Sequence, residues 1–117
     1  MDIRFLDIAQ RELDEAVEYY NAESPGLGDQ FLLEVLSTLE RIRQYPSAWH
    51  PFTQNTRRCQ TRRFPYGVVY QILESEILIV AVAHLHREPG YWQKNCLLRR
   101  TTIRQHFSNT KTGINPL

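Results

Sequence analysis

Residues 57–92, RRCQTRRFPYGVVYQILESEILIVAVAHLHREPGYW, decide the fold of this chain. The stretch holds three runs rich in β-branched and aromatic residues, separated by two short turn signals, and this pattern predicts antiparallel strands. The last run is apolar on both faces, so we expect it to lie in the centre of a sheet with helices on one side. The turns fall at Pro65-Tyr66-Gly67 and Glu74-Ser75-Glu76, and the strands at Arg58–Phe64, Val68–Glu74 and Ile77–Leu85.

The region before this sheet begins with a short strand and an amphipathic helix. Ile3–Leu6 is a brief apolar run, and Asp7 is placed to cap the helix that follows, with Gln10 completing a capping box. Apolar residues then recur at helical spacing. They are Ala9, Leu13, Ala16, Val17 and Tyr20, while Glu12, Asp14, Glu15 and Glu18 take the other positions. The pattern predicts a helix with an acidic outer face.

A second helix follows after a short break. Ser24-Pro25 has the form of an N-cap followed by proline in the first turn, and Tyr45-Pro46 ends the helix. Its apolar stripe contains Leu27, Phe31, Val35, Leu39 and Ile42, widened by Leu32 and Leu36. Two helices joined so closely should form an antiparallel hairpin. We therefore predict an α+β fold in which this hairpin packs on a mainly antiparallel four-stranded sheet. Residues 47–55 are expected to form a loop, with the Trp49 side chain filling the end of the core.

At 117 residues the chain is long enough for one small globular domain and too short for two ordinary ones. We expect no cofactor. No apolar run is long enough to span a membrane, and no apolar leader opens the chain, so a cytoplasmic location is expected. Cys59 and Cys96 lie far apart without a CxxC motif, which favours free thiols. The histidines form no HExxH motif, and we expect no metal site.

The small net charge of +1 conceals two oppositely charged halves. Residues 1–56 carry four arginines against ten carboxylates, and residues 57–117 carry ten basic side chains against three glutamates. Such a directional field can steer an acidic or phosphate-bearing partner to the second half. Arginine supplies twelve of the fourteen positive charges, and its planar fork suits phosphate and carboxylate groups.

Two segments of the sheet region resemble the RelE/ParE toxin superfamily, especially its members described as plasmid stabilisation proteins. They are RRFPYGVVY at residues 62–70 and AVAHLHREPGYW at residues 81–92, together with the order of strand, helical hairpin and antiparallel strands. The segment YNAESPGLG at residues 20–28 is also similar. The resemblance covers residues 1–92, which we take as the domain. Residues 93–117 are predicted to form a partly helical C-terminal extension with mobile last residues.

The resemblance implies a toxin of a type II toxin–antitoxin module, inhibiting growth through a nucleic-acid machine and neutralised by a cognate antitoxin protein. Some members of the superfamily are ribosome-dependent endoribonucleases that cut messenger RNA, and others inhibit DNA gyrase without known hydrolytic chemistry. A toxin fold that has lost toxicity and survives as a binding module is a third alternative. Whether the chain is an enzyme stays open at this point.

Site residues follow from the same resemblance. In the nuclease version, Arg63 and Arg87 hold phosphate, His86 transfers a proton, and Tyr91 or Trp92 stacks on a base. Thr61 and Gly67 stand where nuclease members commonly carry basic residues, and these departures count against cleavage. Further groups are expected to contact the target: Arg57, Arg58, Arg62, His84 and Trp92.

Overall fold

The computed structural model describes residues 1–86, which form two helices and one five-stranded sheet. Strand β5 is central and lies between β1, which runs parallel to it, and β4, which runs antiparallel. The predicted α+β class and the central position of the last strand are confirmed. The elements are β1 (Asp2–Phe5), α1 (Asp7–Glu23), α2 (Leu27–Gln44), β2 (His50–Thr53), β3 (Thr56–Gln60), β4 (Tyr66–Ile72) and β5 (Glu76–His84), in the sheet order β1-β5-β4-β3-β2.

The sheet has one strand more than predicted, because part of the expected loop at residues 47–55 is the edge strand β2. It pairs antiparallel with β3, and Pro51 lies opposite Arg57. An edge strand tolerates proline, since an amide on its open side needs no partner. Trp49 packs against the core as predicted and donates its indole N–H to the Arg41 carbonyl at 3.3 Å.

Strand β3 is shorter than predicted and ends at Gln60 rather than at Phe64. The backbone of Phe64 has φ 72°, in the left-handed region that interrupts a strand. The Thr61 hydroxyl donates to the carbonyl of Phe64 at 2.8 Å and so closes the turn before β4. Arg62 and Arg63 therefore lie on a turn, and their predicted place in the strand Arg58–Phe64 was wrong.

Both helices begin differently from the sequence expectation. The Leu6 amide still donates to the Ile79 carbonyl as an extension of β1, so Leu6 is the N-cap of α1 and Asp7 already lies in the first turn. Helix α2 begins after Gly26, whose φ of 88° places it in the left-handed region, and Ser24 ends α1 instead of capping α2. The predicted caps at Asp7 and Ser24 were wrong.

The side chain of Asn21 on α1 caps α2. Its carboxamide oxygen accepts from the amides of Gly26 at 3.1 Å and Gly28 at 2.7 Å. These are amides that a helix start leaves without an intrahelical partner. The two helices are therefore joined by side-chain hydrogen bonds as well as by packing.

The helical hairpin covers one face of the sheet and encloses the main core. The core contains Leu13, Phe31, Ile42, Tyr66 and Ile79, which are almost fully buried. Leu32 packs against it, but Leu36 is 49% exposed, so its predicted place in the buried stripe was wrong.

Glu12 also departs from expectation, because it points inward rather than outward. It is only 1% exposed, and its carboxylate accepts from the Val82 amide at 2.9 Å. Strand β1 pairs with β5 only as far as Ile79. Glu12 therefore provides an acceptor for the β5 backbone beyond the end of β1.

The second face of the sheet carries a smaller cluster of Val69, Val80, Ala81 and Ala83. Burial of β5 on both faces agrees with its continuous apolar sequence. The predicted C-terminal extension, with Cys96, lies outside the described residues.

Candidate functional site

Three parts of the chain meet at one end of the sheet: the turn between β3 and β4, the end of β5 and the tip of the helical hairpin. The Leu85 amide donates to the Pro65 carbonyl at 2.8 Å, which joins the end of β5 to the turn. Phe64 contacts Tyr20 and Phe31 with ring centroids 5.0 and 5.1 Å apart, which joins the turn to the helices. We call residues 61–65 the basic turn.

The basic turn presents two exposed arginines from a fixed backbone. The Arg62 amide donates to the Glu34 carboxylate at 2.6 Å, and no hydrogen bond or ion pair within residues 1–86 engages the Arg62 guanidinium. The Arg63 guanidinium donates to the Gln30 side-chain oxygen at 3.1 Å and lies 5.2 Å from the Phe64 ring centroid. Anchored in this way, the turn holds both charges in solvent at a defined place.

Thr61, at the start of the turn, has a structural role. Its side chain is buried, and its hydroxyl lies within hydrogen-bond distance of the carbonyls of Phe64, at 2.8 Å, and Tyr66, at 3.2 Å. A hydroxyl used in this way fixes the turn. It supplies no charge to a ligand.

His84 and His86 form a pair beside the basic turn. Their ring centroids are 4.9 Å apart, and the His84 ring also makes an edge contact with Tyr66 at 5.4 Å. The His86 amide donates to Nδ1 of His84 at 3.2 Å, which requires that nitrogen to be unprotonated. Burial, followed by the neighbouring His86, holds the pKa of His84 below its ordinary value. The hydrogen bond and the lowered pKa both favour the neutral form of His84.

Arg57 and Arg58, on β3, are half-buried and engaged within the fold. Arg57 donates to the Trp49 carbonyl at 2.7 Å. The Arg58 guanidinium lies 4.2 Å from the Phe52 ring centroid, and its stem crosses Gly67. A Cβ at position 67 would lie 2.8 Å from Arg58 Cδ, so the glycine makes room for this side chain.

Comparison with known proteins decides the family. Residues 3–89, about three quarters of the chain, match the family described as the ParE toxin of the type II toxin–antitoxin system parDE. This chain belongs to the ParE toxin family. It is the toxin component of a type II toxin–antitoxin system, and such a toxin has a cognate antitoxin as its partner.

Named relatives of the toxin agree with this assignment. Toxin ParE2 of Mycobacterium tuberculosis, from strains CDC 1551 and H37Rv, is 34% identical over 80 residues, which are 68% of this chain and 76% of the relative. A solved structure of the chromosomal ParDE TA system from P. aeruginosa matches with a TM-score of 0.66 at 16% identity, over 72% of this chain and 95% of that chain. The structural likeness supports the fold.

The structure of the toxin brings together four of the predicted site residues, Arg62, Arg63, His84 and His86, at the basic turn and the end of β5. Arg57 and Arg58 instead contact the Trp49 carbonyl and the Phe52 ring within the fold. The remaining predicted groups lie outside the described residues: Arg87, Tyr91 and Trp92.

Sequence reasoning missed the residues that hold the basic turn in place. Glu34 and Gln30 on α2 bind it, and Tyr20 packs against it from α1. The sequence held a signal for Tyr20 alone. Of the two adjacent tyrosines near the end of α1, only Tyr20 falls in the apolar stripe, which indicates that its ring packs inward while Tyr19 faces outward.

Within residues 1–86, no three side chains of the His, Cys, Asp and Glu types are grouped to hold a metal ion. Neither of the two helices in this region is long and apolar enough to cross a membrane. Cys59 is a buried free thiol, as predicted.

Proposed function

We propose that this toxin acts in the cytoplasm by binding DNA gyrase through the basic turn and the adjacent histidine pair, without cutting nucleic acid. The observation that carries the proposal is that Arg62 and Arg63 are exposed on a turn anchored to α2, whereas Arg57 and Arg58 are half-buried against Trp49 and Phe52. Two exposed guanidinium groups on an anchored turn, with aromatic rings beside it, favour binding of an acidic surface.

The same contacts count against nuclease chemistry. Attack by a 2′-hydroxyl needs one group to accept its proton, another to protonate the leaving oxygen, and cations around one phosphate. Thr61 uses its hydroxyl to close the turn, and Gly67 is covered by Arg58. Nδ1 of His84 already accepts a hydrogen bond from the backbone of the toxin.

The charge distribution fits a protein target. The basic turn belongs to the positively charged half of the sequence, while α1 and α2 supply most of the acidic residues. Arginine forks bind carboxylates as well as phosphates, so an acidic protein surface satisfies the site without RNA. The opposed halves would also orient the toxin as it approaches its target.

A ribosome-dependent endoribonuclease is the second candidate. His84 and His86 lie side by side at the end of the sheet that carries Arg62 and Arg63, so imidazole and guanidinium groups occur at one edge. A neutral histidine next to a second histidine can accept a proton. This arrangement gives the nuclease reading its best support.

Growth arrest in cells tests the proposed site. The toxin is induced without its antitoxin, and the double variant Arg62→Ala/Arg63→Ala is compared with Arg4→Ala. Arg4 is another exposed arginine, on β1, and is paired with Glu76 at the start of β5 at 2.8 Å. We expect the double variant to lose toxicity and the control to keep it.

Equal toxicity of the two variants would contradict the proposal. Absence of growth arrest from the unsubstituted chain would instead favour a non-toxic binding module. The amount of folded protein, measured in the same cells co-expressing the antitoxin, separates loss of function from loss of fold.

A further inference from the structure

Helix α2 has a second apolar surface on the side that faces solvent. Leu33 is 66% exposed and Leu36 is 49% exposed, and the two lie three residues apart on the helix surface. Two adjacent exposed leucines on a regular helix, apart from the main core, leave apolar surface that a partner can cover.

Two charged residues of α2 are placed symmetrically about Leu36, while Glu40, also exposed, is paired with Arg43. Asp29 lies seven residues before Leu36, and Arg43 lies seven residues after it. Seven residues make about two helical turns, so all three lie on nearly the same side of α2. Asp29 and Arg43 are both exposed, and their contacts, with Asn21 at 3.4 Å and Glu40 at 2.8 Å, are surface contacts.

We propose that a second copy of this chain packs on this face, with the two α2 helices antiparallel and the two-fold axis at Leu36. In this arrangement Asp29 lies opposite the partner's Arg43, and the partner's Asp29 lies opposite Arg43. Leu33 and Leu36 of the two copies then form one apolar cluster between the charge pairs. The interface is isologous, as in most homodimers.

The charge pattern favours a second copy over another occupant. Any amphipathic helix could cover Leu33 and Leu36, but an acid and a base at equal distances on either side of Leu36 complement the same helix run in reverse. A contact between two helices lies at the small end of protein interfaces. The dimer should therefore be weak, with a dissociation constant on the order of 10 µM.

Cysteine cross-linking tests the position of the axis. In purified full-length toxin, Leu36→Cys places a thiol opposite its own copy, so oxidation should yield a disulfide-linked dimer. Ser37→Cys, one residue along the exposed surface, is the matched control and should remain mostly monomeric. The unsubstituted chain controls for the native cysteines, of which Cys59 is buried.

Charge reversal tests the pairing. We expect Asp29→Arg to weaken dimerisation about tenfold in sedimentation equilibrium, since it places like charges opposite each other. Adding Arg43→Asp should restore it. Damage to the start of α2 by Asp29→Arg would persist in the double variant, so restoration identifies a contact between copies.

Three results would overturn the dimer: a monomer at about 100 µM, equal cross-linking at positions 36 and 37, or failure of Arg43→Asp to rescue. Alkylation of the Leu36→Cys thiol is also compared between the toxin alone and its complex with the antitoxin. Protection of the thiol only in the complex would assign this face to the antitoxin instead.

Discussion

Tyr66 and Tyr70 are both fully buried on the helix-covered face of β4, yet only removal of the Tyr70 hydroxyl group should destabilise the fold. The Tyr70 hydroxyl donates to the Pro46 carbonyl at 2.5 Å and ties β4 to the end of α2. The Tyr66 hydroxyl has no hydrogen-bond partner within residues 1–86. Burial raises the pKa of both phenols, to about 12 for Tyr70, so both groups are neutral at physiological pH.

The size of each effect follows from these contacts. Tyr70→Phe removes a hydrogen bond and leaves the Pro46 carbonyl without it, which costs about 1–2 kcal/mol. This corresponds to a melting temperature roughly 4–16 °C lower in a domain of this size. Tyr66→Phe removes a buried hydroxyl whose desolvation nothing offsets, so stability should be unchanged or higher by about 1 kcal/mol.

Urea unfolding followed by tryptophan fluorescence measures both variants against the unsubstituted chain, with equal denaturant slopes as the check on two-state behaviour. Because the two substitutions remove the same atom from the same strand, their difference isolates the hydrogen bond. Equal destabilisation by both would refute this reasoning and would show that the Tyr66 hydroxyl is bonded in solution.

Three further substitutions test other contacts. Gly28→Ala should destabilise by about 1–3 kcal/mol in urea unfolding despite its better helix propensity, because its Cβ would lie 2.1 Å from the Val17 carbonyl oxygen. Gly67→Ala should destabilise the unsubstituted chain, because the new Cβ clashes with the Arg58 stem. It should not destabilise the Arg58→Ala variant, which lacks that stem. Additive losses of stability in the double variant Gly67→Ala/Arg58→Ala would contradict this. In the folded chain the pKa of His84 lies below its ordinary value of 6.5. As the pH falls below 6.5, the unfolded chain therefore binds a proton at this histidine before the folded chain does, and the free energy of unfolding should decrease. His84→Gln should make the free energy of unfolding less dependent on pH below 6.5. An unchanged curve of stability against pH would show that His84 does not cause the loss.

The main elements could be predicted because their sequence patterns are long. The apolar stripes of α1 and α2 extend over several turns, and β5 is an uninterrupted apolar run. Strand β2 could not be predicted, since its four residues include Pro51 and its pairing with β3 is irregular. An edge strand with one short partner leaves little periodic signal.

The positions of single polar side chains were the least predictable feature. Helical spacing places Glu12 among the acidic residues, but its inward orientation depends on how far β1 extends beside β5. Similarly, consecutive basic residues do not reveal that Arg58 covers Gly67 while Arg62 remains in solvent. These differences arise from tertiary contacts between distant segments.

The central claim is that the toxin binds its target through the basic turn and does not cut RNA. Purified toxin is assayed in parallel for inhibition of supercoiling by DNA gyrase and for cleavage of messenger RNA on ribosomes. We predict inhibition of supercoiling with intact messenger, and about tenfold weaker inhibition by Arg62→Ala/Arg63→Ala. Cleavage of the messenger on ribosomes with gyrase unaffected would contradict the account.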